Sequence, residues 1–137
     1  MTNKYPVFIP TVGTTPQQVF DAVVAHLAAQ GGPSMSGAAC TNRTSDGRAC
    51  AAACLLTDAE ASLDFEGASN VSWQAMPDSL RPARLRPFAR LLAELQKVHD
   101  RSARDRSATL ASVRERLSRL AALHNLTFDS STITRWE

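Results

Sequence analysis

Long hydrophobic runs are missing from this sequence of 137 residues. No apolar stretch approaches the roughly 18 residues that a membrane-spanning helix needs. A secretory leader is not expected either, because Met1 to Pro6 runs into only Val7-Phe8-Ile9 before Pro10 interrupts. Cysteine is sparse, with Cys40, Cys50 and Cys54 making an odd count. Without a leader, that count predicts free thiols in a reducing, cytoplasmic setting. Six Gly and seven Pro are too few for collagen or a low-complexity chain. Aromatics are only 6% of residues, which leaves few platforms for stacking single-stranded bases.

An excess of charge of one sign is also absent, since 15 Lys and Arg face 13 Asp and Glu. The distribution is uneven, however. Residues 1–77 carry a net charge of −3 and residues 78–137 a net +5. Such a split suits docking on a partner of complementary charge, or the solvated faces of Arg- and Glu-bearing helices. No repeat and no linker divides the chain, and the length suffices to bury a core, so a single domain over residues 1–137 is expected.

Three helices are legible. Thr15 as N-cap, Pro16 at the first helical position and Gln18 completing a Thr-x-x-Gln capping box open a helix over 16–30. Val19, Phe20, Val23, Val24 and Leu27 give it one apolar face, and Gly31-Gly32-Pro33 stops it. Pro87 opens a second, whose face is Phe88, Leu91, Leu92, Leu95, Val98 and His99. After a polar link with Ser107 as candidate N-cap, Leu110, Val113, Leu117, Leu120 and His124 recur at 3-4-3-4 spacing, a seam for an antiparallel partner helix.

Between the first two helices, Asp46-Gly47 is a hairpin-turn signal, because glycine supplies the positive φ the turn needs. It predicts a short β-hairpin joining about 38–43 to about 47–51. The prolines around Val7–Ile9 predict a docked arm or edge strand. The expected class is therefore α+β, three main helices packed with a small antiparallel β-hairpin or sheet.

Candidate chemistry is thin. Cys50 and Cys54 are four apart, and Cys40 lies across the expected hairpin, so the three thiols with His99 or His124 compose a candidate zinc or thiol site. The Cys-x9-Cys-x3-Cys spacing matches no zinc module, and buried thiols are the plainer reading. Phosphate loops, nucleophile elbows and His-Glu-x-x-His do not occur, so neither an enzyme nor a cofactor is expected. Two charged surfaces remain. One is an acidic loop of Asp58, Glu60, Asp64 and Glu66; the other is a basic set on the last two helices, Arg101, Arg104, Arg106, Arg114, Arg116 and Arg119. Asp100, Asp105 and Glu115 dilute the basic field, which disfavours nucleic acid while leaving a DNA-binding regulator as an alternative. Trp73 and Trp136 are candidate anchors for a protein partner.

One set of residues carries a family resemblance. His26-Leu27, Gln30-Gly31, Cys40, Arg43, Asp46-Gly47, Cys50-Ala51, Cys54-Leu55, Asp58, Glu66-Gly67, Leu95-Gln96 and His99-Asp100 resemble the pattern of a family of small phage and prophage proteins. The likeness covers roughly residues 26–100, with Ala53, Leu56 and Thr57 departing from the pattern. It implies a mobile-element setting and no established activity. In that setting the expectation is a non-enzymatic protein-interaction module, an anti-CRISPR-like inhibitor that binds a host defence complex in the host cytoplasm. Neither the partner nor the oligomeric state is legible in the sequence.

Overall fold

The computed structural model describes residues 4–36, 39–62, 73–104 and 109–137. Helix α1 spans Pro16–Gln30, and its start follows from local chemistry. The Thr15 hydroxyl accepts from the Gln18 N–H, and the Gln18 side chain accepts from the Thr15 N–H at 2.8 Å. Gly31 ends the helix at φ 73°, a left-handed conformation that glycine adopts without a Cβ penalty. A single turn, α2, covers Asp58–Ala61, with its own capping box from Thr57 and Glu60. A 3-10 helix over Ala83–Phe88 leads into α3, Ala89–Arg104, which continues beyond the apolar face that ends at His99. Helix α4, Leu110–Leu123, begins at a Thr109 N-cap that accepts from the Ser112 N–H; Ser107 lies outside the described residues. Arg116 bonds to Ser102, and His124 to Glu94, so α4 runs antiparallel along α3.

The expected α+β class is overturned. Of the described residues 58% are helical and 3% are strand, so the fold is helical. The only β pairing among them is two residues long, Met35–Ser36 against Ala39–Cys40, with one isolated bridge between Arg43 and Ala49. The Asp46-Gly47 turn does form, with Gly47 at φ 87°, but the hairpin stops after that bridge. The reason lies in Ala49–Leu56, a run in which every residue is fully buried. The Ala49 N–H donates to Gln30 Oε1 and its carbonyl accepts from both Gln30 and His26, so both its polar groups point at α1. Ala51 then turns helical, and Ala52–Leu55 forms a 3-10 helix at the centre of the core.

Burying a connection demands a partner for each of its backbone groups. Here side chains from all around supply them. Gln96 of α3 accepts from the Ala52 N–H at 3.1 Å. Arg43 donates to the carbonyls of Ala53 and Leu56, both at 2.7 Å, and Arg84 donates to Leu55 at 2.8 Å. Two guanidinium groups thus sit at the C-terminal end of the 3-10 helix, where its carbonyls make the potential negative. The Val7 N–H reaches the Cys54 carbonyl, docking the N-terminal arm. Tyr5 packs below it, its hydroxyl donating to the Gly47 carbonyl and its ring facing the Arg43 guanidinium at 4.2 Å. The C-terminal tail crosses α1, burying Ile133 and closing with a bond from the Glu137 N–H to the Gly31 carbonyl. Among the described residues no helix is long and apolar enough to cross a membrane.

Two outcomes test this cage. Replacing Gln96 by Leu strands the Ala52 N–H and deprives Asp100 of a donor, which is expected to cost about 1–3 kcal/mol; an unchanged urea midpoint would contradict it. His26 is buried with its Nε2–H on the Ala49 carbonyl, and burial pushes its pKa down to about 4 from 6.5. Between those values the unfolded chain takes up a proton that the folded chain refuses. The His26 contribution to stability is therefore expected to fall by about 3 kcal/mol as pH drops from 6.5 to 4 and to level off below that, where the depressed carboxyls of Glu60 and Glu94 take over the loss. Denaturant titrations across that window check it, with His26→Gln expected to flatten the slope.

Candidate interaction groove

The residues that look most chemical in the sequence are consumed internally. Cys50 and Cys54 are fully buried; the Cys50 thiol donates toward Asn42 Oδ1 at 3.5 Å and the Cys54 thiol to the Ala51 carbonyl at 3.0 Å. Burial pushes the Cys50 pKa up to about 12 and that of Cys54 well above its ordinary value, so both are held as thiols. A thiol in that state is a poor nucleophile. The Cys40 side chain lies outside the described residues, among which no cluster of three or more His, Cys, Asp or Glu could hold a metal ion. His99 is also enclosed. Its Nε2 accepts from the Ser34 N–H at 2.9 Å while its Nδ1–H donates to Asp100 at 2.9 Å, which fixes the neutral tautomer.

The acidic loop is split. Glu60 is tied to Arg84 by two bonds of 2.7 and 2.8 Å, and the Arg84 bond holds its carboxyl below the usual range. Asp58 remains 63% exposed and faces Arg43 Nε at 3.3 Å. Asp64 and Glu66 lie outside the described residues. Trp73 must be corrected as an anchor: its ring is 1% exposed, covered by the Arg81 guanidinium at 4.9 Å. Trp136 is half-buried, its ring edge-on to His99 at 6.5 Å.

The basic residues divide differently, and part of them meet. Arg114 turns to the tail and donates to the Ile133 carbonyl. The Arg104 side chain and Arg106 lie outside the described residues. Arg101, Arg116 and Arg119, however, converge on a groove of about 250 Å³ along the outer seam of α3 and α4. From α3 the groove takes Glu94, Lys97, Val98 and Arg101; from α4 it takes Arg116, Arg119, Leu120 and Leu123. Each set is spaced i, i+3, i+4, i+7, so each helix contributes one stripe two turns long.

The stripes set apolar side chains, Val98, Leu120 and Leu123, among charged ones. Leu123 is 78% exposed, one of few large apolar side chains left open among the described residues. The acid in the groove, Glu94, is already engaged. His124 donates to it at 2.5 Å and Arg90 lies at 3.6 Å, and the His124 bond holds its carboxyl below the ordinary range. Lys97 and Arg101 are exposed and make no ion pair among the described residues. Arg119 shares an exposed i, i+4 pair with Glu115 at 2.6 Å, a contact worth a few tenths of a kcal/mol and readily exchanged. Sequence reasoning singles out the arginines but misses Lys97, Val98 and Leu123 as their companions. The repeated stripe was the available signal.

No protein-family model, curated protein or solved structure matches the chain. The thiol geometry is directly testable. With Cys40 replaced by Ser, a thiol reagent at pH 8 is expected to modify Cys50 and Cys54 only after denaturant is added. Prompt modification of the folded chain would show that these thiols are accessible.

Proposed function

We propose that this chain is a non-enzymatic protein-interaction module whose working surface is the α3–α4 groove. In the setting implied by its resemblance to phage and prophage proteins, it inhibits a host defence complex of the CRISPR effector kind. The observation that carries the reading is the pairing of an exposed Leu123 with a rim of four cations on one rigid helix pair. A buried apolar contact ringed by polar groups is how protein interfaces concentrate their affinity. The buried cysteines, His26 and His99, the side chains suited to catalysis, are spent on the core. Their burial weighs against the thiol or zinc alternative. The DNA-binding alternative draws on the same cations, yet the apolar lining of Val98, Leu120 and Leu123 offers a phosphate backbone nothing.

The test is phage plating. On hosts with active CRISPR interference, expression of the chain is expected to restore plating of a targeted phage, with no effect on otherwise identical hosts lacking the system. Leu123→Asp combined with Arg119→Glu is expected to abolish the rescue while leaving expression level and thermal melting intact. Unchanged plating across hosts bearing each class of effector would remove the inhibitor reading.

A further inference from the structure

We infer that the α3–α4 groove receives an acidic amphipathic helix of a second, different protein. The inference rests on the reading of the groove as a working surface and specifies its occupant. Geometry selects a helix. The two stripes, 94–101 and 116–123, flank a channel about 10 Å long at 1.5 Å per residue, which is two turns of helix. A third helix laid in the cleft between two antiparallel ones packs its ridge of i, i+3, i+4 and i+7 side chains against both walls, as in a three-helix bundle.

Charge selects acidity. Lys97, Arg101, Arg116 and Arg119 face the channel, whereas Glu94 is neutralised by its neighbours at one end. Carboxylates placed on both flanks of an apolar ridge would meet Lys97 and Arg101 on one wall and Arg119 on the other. The ridge itself would cover Leu123, Leu120 and Val98. Covering an exposed leucine removes apolar surface from water, and each well-formed carboxylate–arginine contact adds to on-rate and register. Nucleic acid would satisfy the rim only; no aromatic side chain lines the groove to take a base. A second copy of this chain is a poor occupant, because α1 carries one acid, Asp21, and α3 and α4 are themselves rich in arginine.

The experiment is selection from a random displayed peptide library against the full chain, counter-selected on Leu123→Asp and on the Arg101→Glu, Arg119→Glu double variant. All three positions are exposed, and thermal melting verifies that each variant folds. The expected winners carry apolar residues at i, i+3 or i+4, and i+7, bracketed by Asp or Glu. As labelled peptides they are expected to turn helical on binding and to lose about tenfold in affinity, near 1.4 kcal/mol, on either variant. Winners of basic or non-helical pattern, equal binding to wild type and variants, or displacement of the winners by duplex DNA would overturn the inference. Because selection needs no phage or host, restored plating with failed selection would discard only the acidic helix. Successful selection with unchanged plating would discard only the inhibitor reading.

Discussion

The fold depends on keeping one stretch of backbone, Ala49–Leu56, wholly out of water. Its small residues let α1 and α3 approach closely, but a buried backbone without partners would lose about 1–3 kcal/mol per stranded group. The chain answers by turning side chains inward from every direction. Gln30 and His26 come from α1, Gln96 from α3, Arg43 from the turn and Arg84 from the segment before α3. The placement of each of these elements reflects what it must donate to the stretch. Glu60 and Asp58 are then positioned by the arginines they offset.

That arrangement explains how the sequence divides into legible and illegible parts. Helix α1 is readable to its ends because Thr15, Pro16, Gln18 and Gly31 act locally, through bonds that span three or four residues. The hairpin expectation fails because Asp46-Gly47 fixes a turn but not the course of the chain beyond it. Whether 49–51 continue as strand is decided by Gln30 and His26, some twenty residues upstream. An alanine-rich run has no apolar period with which to announce its burial. Arg43 and Glu60 resemble surface charges for the same reason, since a side chain's reach into the core leaves no trace in local spacing.

Several residues that stand out in the sequence serve the same end. His26, Gln30, Arg43 and Gln96 are all donors or acceptors to the buried stretch, and His99 and Asp100 complete the polar cluster beside it. A pattern of Cys, His, Arg and Asp that suggests chemistry on paper is here a framework for holding backbone in a dry interior. What distinguishes it from a catalytic cluster is burial combined with saturation. His26 Nε2 and both ring nitrogens of His99 already meet a backbone or carboxylate partner.

The groove along α3 and α4 is lined by none of those framework side chains. Its walls lie within one contiguous stretch, residues 94–123, while the donors to the buried segment are spread from residue 7 to residue 96. In evolutionary terms the two are separable. Substitutions at its exposed positions, Lys97, Arg101, Arg119 and Leu123, leave the inner scaffold untouched, so their cost in stability stays small. A lineage can therefore exchange the charges on this face one at a time while keeping the same core throughout.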